Sequence, residues 1–151
     1  MKNHINFNMH NTIRPICLPE NPSTEYENAL AIVAGWGLAG SGLSGSVSHD
    51  LQKVDVLLMS HNDCQTAFQN SVTKEMICIK GSGESVGSAC PGDSGGGIFY
   101  KNGNKYEVVG IVSWDTGTVG CQDYMPSVAA RVTSVLGWIQ RETGDSHFCR
   151  A

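Results

Sequence analysis

The segment SACPGDSGGGIFY, residues 88–100, places Ser94 between an aspartate, Asp93, and a run of three glycines. A serine hydroxyl becomes a nucleophile when a neighbouring base removes its proton, and backbone N–H groups in a tight turn can stabilise a reacting oxygen. A serine among glycines is more often part of an ordinary turn. The segment therefore raises the question of whether the rest of the chain can position and activate Ser94.

One arrangement that would use Ser94 is the nucleophile elbow of α/β-hydrolases. Residues 92–96 satisfy its G-x-S-x-G pattern, and Asp115 or Asp123 and then His147 follow in the order of that fold. An elbow requires a strand before the serine and a helix after it. The glycines at 95–97 would each cost a helix about 1 kcal/mol relative to alanine, and a hairpin-forming sequence follows them. The local sequence therefore disfavours an elbow.

Composition limits the class of protein that could hold such a serine. The chain has 151 residues, of which 40% are hydrophobic and 16% charged, as expected of one globular domain or a piece of a larger one. A formal net charge of −4 argues against a nucleic-acid partner. No apolar run approaches the roughly 20 residues that a membrane helix needs, so no membrane partner is expected.

The six cysteines indicate the redox environment in which the protein exists. Their number is even, their spacing is wide, and no Cys/His cluster has the spacing of a zinc site. This pattern favours disulfides and an oxidising, extracellular environment, with no metal or cofactor. The first 20 residues contain no apolar signal-peptide core, so the sequence predicts that Met1 is internal to a longer chain.

Many short strands are predicted around the serine, because apolar and β-branched residues run or alternate between polar and glycine-rich turns. The predicted strand segments are 29–37, 51–59, 75–80, 97–114 and 126–132. Asn102-Gly103 predicts a tight hairpin turn within the fourth segment. Ser60 with Asp63 predicts a capped helix start, and Thr133 predicts the cap of a final helix. This pattern is typical of a small antiparallel barrel.

The longest pattern in the chain is a resemblance to a known family. CPGDSGGG resembles the C-x-G-D-S-G-G-P signature of the chymotrypsin/trypsin-like serine proteases. Further blocks resemble that family in the family's order: IRPICLP (13–19), VAGWG (33–37), MIC (76–78), VGIVSW (109–114) and RVTSVLGWI (131–139). The resemblance covers essentially the whole chain, from Ile5 to about Ile139.

This resemblance implies an all-β fold, namely the C-terminal antiparallel Greek-key barrel of the trypsin-like fold with a C-terminal α-helix. It implies an inter-barrel linker segment at 1–28, the C-terminal barrel at 29–132, and a C-terminal helix and tail at 133–151. The N-terminal barrel of the family would then be missing from this sequence and would be the partner of the domain.

The resemblance also assigns roles around Ser94, which aligns with the nucleophile of the family. The backbone N–H groups of Gly92 and Ser94 align with the oxyanion hole, which stabilises the negative charge on the attacked carbonyl oxygen. Asp93 aligns with the carboxylate that pairs with the new N-terminal amine after zymogen cleavage. An ordinary Asx turn is the alternative role for Asp93.

Further residues align with the substrate pocket of the family. Ser88 aligns with the pocket base, where trypsin-like members carry an aspartate that binds Lys or Arg. Because Ser88 has no charge, trypsin-like cleavage is not expected. Asp115 and Ser127 replace glycines that are common in the pocket, and they either change its shape and charge or have no effect. Ser113 and Trp114 would line a groove that binds an extended polypeptide substrate by strand addition.

The cysteines agree with the resemblance, which implies two disulfides, Cys64–Cys78 and Cys90–Cys121. Cys17 aligns with a cysteine that often tethers the activation peptide and whose partner lies upstream. A Cys17–Cys149 disulfide is the alternative within this chain, since six cysteines allow 15 connectivities.

The base that would activate Ser94 is not identified in this sequence. The family supplies a histidine from an A-A-H-C motif and an aspartate from a D-I-A-L motif, and neither motif occurs here. The histidines, each expected at the surface, are His4, His10, His49, His61 and His147. Two functions follow: a serine endopeptidase present as its C-terminal half, or a truncated and catalytically inactive module that binds peptides or proteins.

Overall fold

Eight strands and two helices make up the part of the chain that the computed structural model describes, residues 15–39, 46–82, 87–115, 126–144 and 148–149. The strands are Leu30–Gly35 (β1), Leu38–Ala39 (β2), Ser46–Val47 (β3), Gln52–Leu58 (β4), Met76–Gly81 (β5), Gly97–Asn102 (β6), Lys105–Trp114 (β7) and Ser127–Arg131 (β8). The helices are His61–Ala67 (α1) and Val132–Glu142 (α2).

Six of the strands close into an antiparallel barrel in the order β1-β4-β5-β8-β7-β6, and β2 pairs with β3 outside it. Within this order, β8 lies between β5 and β7, so that β5-β8-β7-β6 forms a Greek key. The predicted antiparallel barrel followed by a C-terminal helix is confirmed.

The burial pattern of the strands explains why the barrel closes. Along β4, Val56 and Leu58 are fully buried, whereas Asp55 faces solvent, as alternation in a half-buried strand requires. β5 is buried on both faces, because Ile77 and Ile79 belong to the barrel core while Cys78 packs with the residues of α1. The apolar sequence MICI therefore fits a strand that is covered on both sides.

The β6–β7 hairpin turns one residue later than the sequence predicts. Asn102 is the last residue of β6 and pairs with Lys105, so the two loop residues are Gly103 and Asn104. Gly103 has φ +59°, whereas Asn104 is not among the described residues with positive φ. A glycine alone at the first loop position is the pattern of a type II′ turn, and not of the type I′ turn that Asn-Gly favours. Asn102 remains in the strand, where its side-chain amide donates to Glu107 Oε1 at 2.7 Å.

The two helices begin differently. The backbone N–H of Asp63 donates to Ser60 Oγ at 3.1 Å, so the predicted cap of α1 is confirmed. The predicted cap of α2 at Thr133 is wrong, because α2 follows directly from β8 with Arg131 as N-cap and without a side-chain cap bond. Thr133 is buried within the first turn of the helix instead.

The entering segment at residues 15–20 is attached to the barrel rather than free. Cys17 forms a parallel bridge with Glu107 of β7: its N–H donates to Tyr106 O at 3.2 Å, and its C=O accepts from Val108 N at 3.0 Å. Cys17 and Cys149 form a disulfide, the alternative left open by the sequence. This bond joins the two ends of the described chain.

The other disulfides agree with the resemblance as far as they are described. Cys64 on α1 is bonded to Cys78 on β5. Cys90 is also disulfide-bonded. Its expected partner, Cys121, lies outside the described residues, as do Asp123 and His147.

Candidate functional site

Ser94 is presented to solvent by a tight turn that ends where β6 begins. Asp93 N–H donates to Cys90 O and Gly96 N–H donates to Asp93 O, each at 2.9 Å. Gly92 and Gly95 have φ values of +100° and +84°, a region that residues with a side chain rarely adopt. The glycines on both sides of Ser94 are therefore required by the backbone path of the turn.

The turn is fixed against β7 by two further backbone bonds. Gly95 N–H donates to Val112 O, and Val112 N–H donates to Gly96 O, both at 2.9 Å. Because Val112 belongs to the buried core, this pair connects an exposed serine to the rigid interior of the barrel. Such support is what a preorganised nucleophile needs.

The carboxylate of Asp93 is bound at the end of β1. Oδ1 accepts from Gly37 N–H at 2.9 Å, and Oδ2 accepts from Cys90 N–H at 3.0 Å. A Cβ on Gly37 would lie 2.6 Å from the carboxylate, and one on Gly35 would overlap Oδ1. The glycines of the VAGWG block thus make room for Asp93, a role that the sequence did not reveal.

A small cavity borders this carboxylate. It has a volume of about 180 Å³, and we call it the Asp93 cavity. It is lined by Gly87, Ser88, Cys90 and Asp93 from the segment before β6, and by residues from β1 to β4: Val33, Gly35, Gly37, Leu38, Ala39, Gln52 and Val54.

A second opening, of about 300 Å³, lies beside Ser94 and is called the Ser94 cleft. Its lining residues are Ala89, Cys90, Pro91, Ser94, Val112, Ser113, Trp114, Asp115 and Ser127. Ala89, Val112 and Ser127 are buried, with 4%, 7% and 4% of their surface exposed, and they form the floor. The structure therefore brings Ser94, Ser113, Trp114, Asp115 and Ser127 around one opening.

Ser88 contacts Ser127, one of the buried residues of this cleft. Its Oγ is 2.9 Å from Ser127 Oγ, and it lines the Asp93 cavity rather than the Ser94 cleft. The assignment of Ser88 to the pocket base stays a prediction; of this pair of described serines, Ser127 lines the Ser94 cleft. Sequence alone could not show the contact between the two serines, because it depends on how β8 packs against residues 87–89.

Trp114 forms one wall of the cleft at the end of β7. Its ring meets Phe68 edge to face, with 5.1 Å between the ring centroids. Phe68 is buried directly after α1, so α1 indirectly holds the wall in place. The β7–β8 register shifts between Val112 and Trp114, which leaves Ser113 without a partner in β8.

No described histidine lines the Ser94 cleft. Of the two described histidines, His49 is exposed, and His61 begins α1, where its backbone N–H donates to Glu27 Oε1 at 2.9 Å. His4, His10 and His147 lie outside the described residues. Within the described ranges, no group of three or more His, Cys, Asp or Glu side chains is arranged to hold a metal ion.

Two groups with some burial and with shifted pKa values, Tyr26 and Arg131, lie away from the Ser94 cleft. Burial raises the pKa of Tyr26, and the nearby Glu107, to which the Tyr26 hydroxyl donates, raises it further. Burial lowers the pKa of Arg131, whose guanidinium donates to the carbonyl oxygens of Lys74, Met76 and Glu25. Neither group lines the Ser94 cleft, so both belong to the scaffold.

Comparison with known proteins identifies the class. The trypsin family model matches residues 1–139, and the chain belongs to this family of serine proteases. A solved structure of neuropsin, a serine protease expressed in the limbic system of mouse brain, matches with a TM-score of 0.73 and 26% sequence identity. The match covers 89% of this chain and 56% of the neuropsin chain, so this chain spans little more than half of that protease. None of the helices in the described ranges is long and apolar enough to cross a membrane.

Proposed function

We propose that this chain is part of a serine endopeptidase in which Ser94 is the nucleophile. The observation that carries the proposal is the exposed serine on a glycine turn bonded to the barrel core, beside a cleft. Ser94 Oγ attacks the carbonyl carbon of a peptide bond while a base takes the hydroxyl proton. The base returns that proton to the leaving amine, and water then releases the acyl group from Ser94.

Charge develops on the carbonyl oxygen during the attack. We assign its stabilisation to the backbone N–H groups of Gly92 and Ser94, as the family resemblance implies. The left-handed φ of Gly92 supports this assignment, because it allows a backbone path that a side chain at this position would strain. Two such donors lower the barrier by a few kcal/mol in related sites, so the turn contributes to the chemistry as well as to the support of Ser94.

We assign to Asp93 the ion pair with a new N-terminal amine. The Asp93 cavity provides the space beside the carboxylate, and the backbone N–H groups of Gly37 and Cys90, which donate to the carboxylate, carry no charge. An ammonium group entering the cavity would supply a positive charge where the turn of Ser94 meets β1. Through Asp93, its arrival would fix the turn that carries the nucleophile.

The substrate is proposed to be an extended polypeptide that lies along the end of β7. Ser113 and Trp114 are exposed there, and the register shift leaves Ser113 unpaired with β8. Unpaired strand groups can bind another extended chain by adding it to the sheet edge. A polypeptide bound along Ser113 and Trp114 would have a peptide bond next to Ser94, because all three residues line the same cleft.

We propose that the general base and its orienting carboxylate come from an N-terminal barrel, with residues 1–28 as the linker between the barrels. The match with neuropsin supports this, since it covers 56% of the neuropsin chain and leaves 44% of that chain without a counterpart in this protein. The surface of α2 supports it as well. Val135 and Trp138 lie on one face of the helix, exposed by 40% and 57%, as a surface that meets another domain would be.

We further propose that the protease acts outside the cell. Disulfides persist in oxidising compartments, and this small barrel contains the Cys17–Cys149 and Cys64–Cys78 bonds.

The test is reaction of Ser94 with a fluorophosphonate probe, followed by intact-protein mass spectrometry. We expect slow labelling of this chain alone and rapid labelling when it is joined to an upstream barrel with A-A-H-C and D-I-A-L motifs. Ser94→Ala should abolish labelling, whereas Ser134→Ala on α2 should not change it. Rapid labelling of the chain alone would show that no external base is needed. Failure of the joined protein to label would overturn the role of Ser94.

A peptide-binding module without catalysis is the second candidate. It is favoured by the fact that no described histidine lines the Ser94 cleft. Isothermal titration with an extended peptide distinguishes the two. A binding module would retain the peptide affinity in the Ser94→Ala variant and show no hydrolysis in the joined wild-type protein.

A further inference from the structure

We propose that a cavity at the start of α2 binds a sulfate or phosphate group at a site separate from the Ser94 cleft. The cavity has a volume of about 220 Å³, and we call it the Arg131 cavity. Its lining includes Glu25, His61, Lys74, Arg131, Thr133 and Ser134. None of its lining residues borders the Ser94 cleft, so this inference does not depend on the proposed role of Ser94.

Arg131, besides supporting the scaffold, places a buried positive charge at this cavity. Only 9% of its surface is exposed, and its described hydrogen bonds all go to backbone carbonyl oxygens, those of Lys74, Met76 and Glu25. These bonds use Nε and Nη1, so Nη2 has no acceptor among the described residues. Burial lowers the pKa of Arg131 by more than the nearby carboxylates of Glu25 and Glu27 raise it, so its charge is only partly compensated. A ligand with negatively charged oxygen atoms would supply the missing partner.

The first turn of α2 supplies further donors for the same ligand. Thr133 and Ser134, the second and third residues of the helix, line the cavity. No side chain caps this end of α2, and the N–H groups of a first helical turn have no acceptor within the helix. Such N–H groups bind anions, and the positive end of the helix dipole adds to the attraction. The exposed side chain of Lys74, which also lines the cavity, adds an ammonium group to these donors.

An unpartnered ring nitrogen points to a ligand independently of these charges. Nδ1 of His61 is the only buried side-chain nitrogen or oxygen atom without a hydrogen-bond partner in the part of the chain that the structure describes. Buried polar atoms in proteins are usually paired with protein, water or ligand. Because His61 lines the Arg131 cavity, an oxygen atom of a bound anion would accept from Nδ1 in the tautomer that carries the proton there.

The size and composition of the cavity favour a single tetrahedral group over a larger ligand. Drug-sized ligands occupy clefts of roughly 300–1,000 Å³, and the Arg131 cavity is smaller. Ammonium, guanidinium and backbone N–H groups converge on it from the segment before β5, from β8 and from α2, which suits a group whose oxygen atoms point in several directions. The Glu25 carboxylate also lines the cavity and opposes an anion, so its removal should strengthen binding.

The experiment records nitrogen–proton correlation NMR spectra of this chain while phenyl sulfate or phenyl phosphate is added at constant ionic strength. We expect saturable shifts of the Thr133 and Ser134 backbone signals, and the ester that binds more tightly identifies the group that the site prefers. Lys74→Gln should raise Kd by about 10-fold, because a hydrogen bond to a charged group is lost. Glu25→Gln should lower Kd by up to about 5-fold, because a like charge is removed. Lys101→Gln, at an exposed lysine outside the cavity lining, is the matched control and should leave Kd unchanged.

These variants leave Arg131 in place, because its bonds to three carbonyl oxygens also support the fold. Shifts no larger than those caused by sodium chloride at the same ionic strength would overturn the site. Acetate binding as tightly as both esters would overturn the preference for a tetrahedral group. An unchanged Kd in Lys74→Gln would show that the anion does not bind in the Arg131 cavity.

Discussion

The carboxylate of Asp93 accepts a 2.9 Å hydrogen bond from the backbone N–H of Gly37, a residue 56 positions earlier in the chain. This bond connects the turn that presents Ser94 to the segment that follows β1, beside the Asp93 cavity. The position of Ser94 therefore depends on two segments that are distant in sequence. Changes at either segment should affect both the stability of the barrel and the reactivity of Ser94.

Removal of the Asp93 carboxylate should test this connection directly. Asp93→Ala leaves the N–H groups of Gly37 and Cys90 without the acceptors they have in the structure, at a cost of about 1–3 kcal/mol in unfolding free energy. Asp93→Asn keeps one carbonyl oxygen and should cost less. Urea denaturation measures the stability, and fluorophosphonate labelling of the joined protein measures the reactivity. Equal stability of Asp93→Ala and the wild-type protein would contradict this account.

Gly35 should be intolerant of even one methyl group. A Cβ at this position would overlap Asp93 Oδ1, so Gly35→Ala should cost about 2–3 kcal/mol of stability and slow the labelling of Ser94. Gly103→Ala is the matched control. Its Cβ would meet nothing within 4 Å, so the strain of the positive φ of +59° is confined to the tip of the hairpin.

Labelling distinguishes the two glycine variants better than stability does. Gly103 lies at the tip of the β6–β7 hairpin, so its variant should label at the wild-type rate. If Gly35→Ala also labels at the wild-type rate, the position of Asp93 does not control the nucleophile.

How well the sequence predicts the site depends on how far apart in the sequence the interacting residues lie. The glycines of CPGDSGGG indicated the turn that presents Ser94, because that turn is formed by adjacent residues and its glycines satisfy local backbone requirements. The contact between Ser88 and Ser127 was not predictable, since 39 residues separate them and only strand packing brings their hydroxyls together. The barrel was predictable from short alternating segments, as each strand carries its own burial pattern.

The local errors have physical causes as well. The hairpin turn is displaced because the side chain of Asn102 is bound to Glu107, which keeps Asn102 in β6. Thr133 does not cap α2, because β8 continues directly into the helix and leaves no non-helical residue at that position. In both cases a tertiary contact or strand connection outweighs the local preference of the residue.

The Tyr26–Glu107 pair should give the barrel a specific alkaline pH dependence. Glu107 is almost fully buried, with 2% of its surface exposed, and it accepts from the Tyr26 hydroxyl and the Asn102 amide. Loss of the first donor in Tyr26→Phe should cost about 2 kcal/mol near neutral pH, as expected for a hydrogen bond to a buried carboxyl group. Tyr106→Phe, at an exposed position of β7, should be neutral.

The sign of the pH dependence follows from the raised pKa of Tyr26. Above pH about 10 the unfolded state loses the tyrosine proton while the folded state keeps it, so stability falls as the pH rises. The stability difference between the wild-type protein and Tyr26→Phe should therefore be constant below pH 9 and shrink above pH 10. Urea denaturation between pH 7 and pH 11 measures it. A difference that stays constant up to pH 11 would show that Tyr26 ionises equally in both states.

The two fully described disulfides should differ in their resistance to reduction under native conditions. Cys64 and Cys78 are 1% and 0% exposed, whereas Cys149, the partner of Cys17, is only partly buried near the end of the chain. Thiol–disulfide exchange requires access to a sulfur atom, so a graded reductant should break Cys17–Cys149 first. Alkylation followed by peptide mass spectrometry identifies which cysteines have become free at each reductant concentration.

Loss of the first disulfide should weaken the barrel without unfolding it at once. Cys17–Cys149 closes a loop with a sequence separation of 132, and a chain-entropy account gives such a bond about 4–5 kcal/mol of stability. The selectively reduced protein should keep its β-sheet circular dichroism but unfold at a lower denaturant concentration. Cys17→Ala/Cys149→Ala should reproduce this lower midpoint. Simultaneous appearance of all four thiols would instead show that reduction follows global unfolding, and that the exposure of Cys149 does not set the order.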